Sequence, residues 1–296
     1  VMEDGAVLTP LAGGHSGRTF AAEVAGERAV VRIYPPVDGR GHRPPEVDEA
    51  VLRLVRGLVP VPEVLEVRRV RPGAGEPGLL VTSRLPGERG DLVLAGLDDD
   101  GAARLGRALG AVAGTLAGMP SLRPGAFLDA DLALGALPGD GLVEWVALRL
   151  GAWSERDLGR LEDVAVRAQD LLDTVGRACV VHGDLNPKNV LVDPSGPDLT
   201  GVVDWEFAHA GHPWTDVGNL VRLDRRPAYV EGVLSAWTDL RGGRPEELLE
   251  GARAADLWAL VDLAARAGES PVADRAEVLL RAVAATGDLH AWPFAR

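Results

Sequence analysis

One stretch limits what this chain can fold into more than any other: His182-Gly183-Asp184-Leu185-Asn186-Pro187-Lys188-Asn189-Val190-Leu191-Val192. An aspartate stands five positions before an asparagine, after a histidine and ahead of a β-branched run. The two polar residues suit separate tasks. A carboxylate can orient an attacking hydroxyl and accept its proton. An asparagine amide oxygen is a ligand for a hard cation such as magnesium, which neutralises charge on phosphate oxygens. Further on, Val203-Asp204-Trp205 adds an aspartate at the exit of the strand-like Gly201-Val202-Val203. It is the carboxylate that a divalent ion bridging phosphates calls for.

The geometry between these residues follows from the spacing. Val190-Leu191-Val192 and residues 200–203 read as short strands, and Asp193-Pro194-Ser195-Gly196 between them is rich in turn formers. A hairpin of that length brings Asn189 beside Asp204, so the two can share one metal ion. A plainer reading makes each Asp and Asn a turn former capping a hairpin, which does not explain their register with His182. The pattern His-x-Asp-Leu-x-x-x-Asn is the spacing of a phosphotransferase catalytic loop.

Composition removes other classes. A length of 296 residues suits one large domain or two lobes, and 46% hydrophobic with 25% charged residues is ordinary for a globular chain. A formal charge of −13 argues against a nucleic-acid partner and permits a cationic one. Cys179 is the single cysteine, so neither an internal disulfide nor a cysteine zinc site is expected. No basic-then-apolar leader and no membrane-length apolar run is seen. The expectation is a cytoplasmic protein without a membrane partner, monomeric or homodimeric.

Ahead of the catalytic stretch, a glycine-rich turn with Gly13, Gly14 and Ser16 leads into a strand over 19–24, followed by another over 29–34. Glycines there let backbone N–H groups approach phosphates. Arg32 lies mid-strand, either at an edge facing solvent or needing an acidic partner. Pro44-Pro45 starts a helix that Gly57 ends, with Val47, Ala50, Val51, Leu54, Val55 and Leu58 on one face. Asp48 flanks that face while Glu49 points away, so Asp48 is the residue expected to reach Arg32. Strands over 64–67 and 79–83 follow, and the lobe boundary is set at Arg84-Leu85-Pro86-Gly87. Residues 1–85 form the expected nucleotide-binding lobe, with backbone groups of Ser83 and Leu85 for the base. Residues 86–296 form the catalytic and substrate-binding lobe, with helices over 98–119, 142–150, 155–177, 217–223, 248–267 and 273–285. The class is α+β and bilobal, an antiparallel N-terminal sheet with one helix before a mainly helical C-terminal lobe.

With these motifs in hand, the chain resembles the aminoglycoside phosphotransferase family, a branch of the protein-kinase-like fold that includes choline and homoserine kinases. The resemblance runs from Leu11 to about Leu223 and is strongest at His182–Val192 and Val203–Glu206. It implies ATP (or GTP) and Mg2+ as cofactors, Asp184 as catalytic base, and His182 as support for its loop. It further implies Asn189 and Asp204 as metal ligands and Asp216 as a brace for the catalytic loop. Three positions depart from the family: Arg32 where lysine is frequent, Asp48 where glutamate is, and His212 where aspartate is common. His212 is therefore expected on the substrate side.

The resemblance implies phosphorylation of a hydroxyl on a cationic antibiotic, an aminoglycoside or a viomycin- or capreomycin-type cyclic peptide. Asp129, Asp131 and Glu206 are the carboxylates expected to hold its ammonium groups. The alternatives are a metabolic kinase for an amino alcohol, homoserine or sugar, and a non-catalytic nucleotide-binding module. The presence of Asp184, Asn189 and Asp204 together speaks against the last.

Overall fold

The computed structural model describes residues 7–11, 18–24, 27–35 and 44–294. Its N-terminal part is a sheet of β1 (Val7–Pro10), β2 (Arg18–Val24), β3 (Glu27–Tyr34), β4 (Val64–Arg68) and β5 (Gly78–Ser83), with α1 (Pro45–Val55) between β3 and β4. The strand order is β1-β2-β3-β5-β4, every pair antiparallel. Arg32 pairs with Thr19 on one side and Leu80 on the other, so it sits on the central strand and not at an edge. Pro45 opens α1 where a missing N–H costs nothing, and Gly57, at φ 83°, follows its end. Val47, Val51 and Val55 are buried along one face, and Asp48 is buried with them.

The chain then adds β6 (Glu88–Arg89), α2 (Gly90–Gly96), α3 (Asp99–Ala117), β7 (Pro120–Ser121), β8 (Gly125–Phe127) and β9 (Leu134–Gly135). Next come α4 (Leu142–Arg149), α5 (Glu155–Asp173), β10 (Ala178–Val181), β11 (Val190–Val192), β12 (Leu199–Val202) and β13 (His209–Gly211). It ends with α6 (Thr215–Val221), α7 (Pro227–Arg241), α8 (Pro245–Ala264) and α9 (Pro271–Thr286). Two small sheets carry the centre of this part, ordered β7-β10-β13-β8-β9 and β12-β11-β6. The architecture is the expected α+β one.

Asp98 caps α3 by accepting the Gly101 N–H at 2.8 Å, and Leu105, Leu109, Val112 and Leu116 face inward as their spacing predicts. Helix α7 was not expected, and it carries Gly232 in mid-run. The glycine has a packing reason. A Cβ on Gly106 or Gly110 of α3 would collide with the carbonyl oxygens of Tyr229 or Val233, and one on Gly232 with that of Ala103. The two helices thus meet backbone against backbone.

Apolar side chains form two clusters. One runs from Tyr34 and the α1 valines through α3, the β11–β12 hairpin and α6 to α7. The other is built by α4, α5, α8 and α9. Among the described residues, no helix is long and apolar enough to cross a membrane.

Candidate active site

Strand β10, buried at all four positions, delivers Gly183 and Asp184 to the floor of a cleft of about 2300 Å³, with His182 buried beneath them. Gly183 has φ 79°, and a Cβ there would strike the Phe207 carbonyl, so only glycine fits this turn. His182 is fully buried, its ring 4.6 Å from the Trp205 ring. Its Nε2 lies 2.9 Å from the Val203 carbonyl, which can only accept, and its Nδ1 accepts the Asp184 N–H at 3.3 Å. These bonds select the neutral ring with hydrogen on Nε2. The histidine thereby ties the loop of Asp184 to the residue before Asp204.

Asp216, at the start of α6, holds the same loop from below. Its two carboxylate oxygens accept the N–H groups of His182 at 2.9 Å and Gly183 at 3.0 Å. Burial pushes its pKa up to about 6, against the pull of those two N–H donors.

The Asp184 carboxylate is fixed on both sides. Asn186 Nδ2 donates to Oδ1 at 2.8 Å, and Asn189 Nδ2 donates to Oδ2 at 2.8 Å and to the Asp184 carbonyl at 2.9 Å. Asn186 is itself oriented, its Oδ1 accepting the Lys188 N–H at 3.0 Å. The Asn189 amide oxygen takes no part in these bonds. Asn186 was not singled out from sequence, although it lies inside the catalytic stretch; only the turn geometry shows that it faces Asp184.

The hairpin closes as expected. Val190 pairs with Val202, and the Asn189 carbonyl accepts the Val203 N–H at 2.9 Å, which sets Asn189 next to the strand that ends at Asp204. Asp204 adopts the left-handed conformation, φ 64° and ψ 57°. Arg32 Nη1 is 3.4 Å from its Oδ1, and Arg32 Nη2 pairs with Glu206. Burial raises the pKa values of both carboxylates, and Arg32 opposes the rise. Burial also works against the Arg32 charge, but Tyr34 and the carboxylates of Glu206, Asp48 and Asp204 outweigh it and hold the guanidinium above its ordinary value.

The other expected residues divide between the cleft, the core and the surface. Asp48 turns inward and accepts the Tyr34 hydroxyl at 2.5 Å, acting on Arg32 through its charge. Glu206 was expected to hold substrate ammonium groups, yet it is engaged by Arg32. Asp129 and Asp131 do not line the cleft: Asp129 Oδ1 accepts the N–H groups of Asp131 and Ala133 and so closes a surface turn. His212 does line the cleft; burial lowers its pKa to about 4, and its Nδ1 accepts the Trp214 N–H at 3.2 Å. The Ser83 N–H is spent on the Glu63 carbonyl at 2.8 Å, leaving no donor there for a base, and Leu85 packs on Gly201. Gly13, Gly14 and Ser16 lie outside the described residues.

No group of three or more His, Cys, Asp or Glu side chains that could hold a metal occurs among the described residues. Asp204 offers one carboxylate and Asn189 one amide oxygen. That sparse all-oxygen set fits magnesium, which keeps waters and phosphate oxygens as its remaining ligands.

The model of the phosphotransferase enzyme family (APH) matches residues 7–248. Among solved structures, the chain is similar to APH(2")-IIia in its complex with GDP and kanamycin, with a TM-score of 0.67 and 18% identity over 93% of this chain and 91% of that one. A Ralstonia eutropha JMP134 protein, provisionally described as an aminoglycoside phosphotransferase, gives a TM-score of 0.64 and 17% identity over 96% and 91%. A thermostable mutant of APH(4)-Ia with ADP and hygromycin B gives 0.61 and 18% over 95% and 94%. Among curated proteins, acyl-CoA dehydrogenase family member 11 of Mus musculus is 36% identical over 52 residues. That match spans 18% of this chain and only 7% of the mouse protein.

Proposed function

The chain belongs to the phosphotransferase enzyme family, and from that premise we propose that it transfers the γ-phosphoryl group of ATP or GTP to a hydroxyl of a small molecule bound in the cleft before Asp184. The observation that carries the reading is the fixed Asp184 carboxylate, clamped by Asn186 and Asn189 at the cleft floor. In the proposed reaction the acceptor oxygen forms a bond to the γ-phosphorus while the bond to the β-phosphate oxygen breaks. The nucleoside diphosphate leaves, and the acceptor proton passes to Asp184. Asn189 and Asp204 are the residues that would hold magnesium, which when bound neutralises charge on the phosphates. Arg32 supplies a cation from the N-terminal sheet, and Asp216 and His182 keep the loop in place. The division at residue 85 into a nucleotide-binding and a catalytic lobe belongs to the same proposal.

The nucleotides and antibiotics in complexes of the structural neighbours support an antibiotic acceptor and its inactivation by phosphorylation. For a cationic acceptor, Asp129 and Asp131 lie on a surface turn and Glu206 pairs with Arg32, so the carboxylates that would hold its ammonium groups are others lining the cleft, among them Asp140, Asp173, Asp262 and Glu269. The test is magnesium-dependent release of nucleoside diphosphate with a panel of alcohols, alongside Asp204→Ala. The expected result is acceptor-dependent release in the wild type and loss of both release and magnesium-dependent nucleotide binding in the variant. Absence of ATP and GTP binding to the wild type would refute the reading.

A further inference from the structure

Helix α6 borders the cleft through Asn219, and Arg222 follows three positions later, on the same side of the chain. Both residues are more than nine-tenths buried, at 2% and 5% exposed, and the proposed phosphotransfer uses neither. Arg222 is held by its neighbours. Its Nε donates to both oxygens of Asp256 in α8 at 3.0 Å, and its Nη2 donates to Asp256 Oδ1 at 2.7 Å and to Asn219 Oδ1. Nη1 makes none of these bonds and is not sealed off, so its two N–H groups are left to the cleft. A guanidinium only donates, so the Asn219 oxygen faces it and the amide NH2 faces away. That NH2 group is buried and has no partner. A buried donor is costly until an oxygen reaches it.

This corner of the cleft has donors to spare and no acceptor. Asp256 and the Asn219 oxygen are engaged by Arg222, and Asp224 is turned to Arg226 at 3.0 Å. Arg253 adds another buried cation, donating to the Val221 carbonyl; burial first, then Arg225, brings its pKa down to about 9. Asp184 lies near enough for its charge to act on Arg222, which puts the corner at the reacting end of the cleft. An ammonium group would bring only more donors. An alcohol oxygen can accept, but its own proton finds the corner's acceptors taken. A carbonyl or carboxylate oxygen accepts and has no proton to place.

We infer that Asn219 and Arg222 form a substrate subsite for a carbonyl or carboxylate oxygen, taken by Asn219 Nδ2 and Arg222 Nη1, which orients the substrate hydroxyl toward Asp184. This rests on the phosphotransferase reading and deepens it by naming two residues that select the substrate. Asp140, Asp173, Asp262 and Glu269 line other stretches of the cleft, so the subsite fixes one oxygen of the substrate and not its overall charge. The probes are glycolate, glycolamide and ethylene glycol, two-carbon alcohols with a carboxylate, an amide carbonyl or neither. Saturation-transfer NMR follows their CH2 protons with the full chain, magnesium and a non-hydrolysable ATP analogue, which keeps the anionic probe off the phosphate site. The expected result is saturable binding of glycolate or glycolamide, about tenfold or more tighter than ethylene glycol. Glycolate alone assigns a carboxylate, and both together a carbonyl. Asn219→Leu should abolish the preference. Arg222→Met combined with Asp256→Leu should do the same without stranding a buried carboxylate. A purely structural role would lower the urea midpoint and weaken all three probes alike, leaving their ratio unchanged. That unchanged ratio would overturn the inference, as would no preference in the wild type or no binding of any probe. Should the double variant fail to fold, Asn219→Leu and Asn219→Asp carry the comparison, the latter turning an oxygen toward the probe. Nucleotide binding is measured on the same samples. Its absence in the wild type would tell against phosphotransfer, while probe ratios taken without nucleotide still report on the subsite.

Discussion

Replacing Asp216 by asparagine separates the two things this carboxylate does. Both its oxygens accept backbone N–H groups, from His182 and Gly183. An asparagine offers one acceptor and turns an NH2 group toward the other N–H. A buried donor left without a partner costs about 1–3 kcal/mol, and a loop displaced by about an ångström can cost about a hundredfold in turnover. The charge has the opposite effect on stability. The folded pKa is raised from 3.8 to about 6, so between those values the folded chain binds more protons than the unfolded one. Stability from this group is therefore greatest below pH 4 and falls as pH rises through 6, by about 3 kcal/mol in all. His212 masks the effect. Its folded pKa is lowered from 6.5 to about 4, so its share of stability is lost as pH falls through the same window. Asp204 and Glu206, whose pKa values burial also raises, add to the slope, so only the difference between wild type and Asp216→Asn isolates the carboxylate. In urea titrations from pH 4 to 7, the advantage of the wild type over the variant should shrink with rising pH by about 2.4 kcal/mol. Turnover should meanwhile drop about a hundredfold in the variant at pH 7. Parallel pH curves would refute the raised pKa, and unchanged turnover would refute the bracing of the loop.

Other outcomes are expected from the same geometry. Asp184→Asn should keep nucleotide binding by calorimetry while lowering turnover about a hundredfold or more, since the amide cannot accept the proton. Asn186→Ala frees Asp184 Oδ1, and kcat should fall about tenfold while the nucleotide KM holds. Gly110→Ala drives a methyl into the Val233 carbonyl and should lower the urea midpoint by the equivalent of about 1–3 kcal/mol, whereas Gly96→Ala, at an open position, should not. His212→Gln should steepen the gain in stability on acidification from pH 6.5 to 4, because the buried ring no longer has to be protonated.

The sequence was most legible where function is local. The spacing of Asp184, Asn189 and Asp204 around one hairpin needs few degrees of freedom, so periodicity and turn chemistry suffice to place them. Helices such as α3 and α8 show a repeating apolar face or a long small-residue run, and both were anticipated within a few residues. Helix α7 was not, although Tyr229, Val233, Leu234 and Trp237 form its buried face. Glu206 was read as a substrate contact because its partner Arg32 lies in a strand far away in the chain. Asp129 is a turn former, and composition cannot distinguish a carboxylate bonding its own backbone from one facing a ligand. The two- and three-residue strands of the central sheet carry too few residues for alternation to show.

The division of apolar side chains into two clusters has a consequence for how such a protein can be altered. The residues proposed for phosphotransfer stand on the first cluster, which reaches from the N-terminal sheet to α7. Trp145 and Trp258 belong to the second, with α5 and α9 behind them. Trp214 touches both, and a Cβ on Gly251 would collide with its ring. Changes confined to α4 and to the Trp258 end of α8 should therefore reshape the Trp145–Trp258 wall of the cleft without disturbing the Asp184 loop, whereas Leu248 and Ala252 of α8, which belong to the first cluster, and the Trp214–Gly251 contact form the seam that must be left alone.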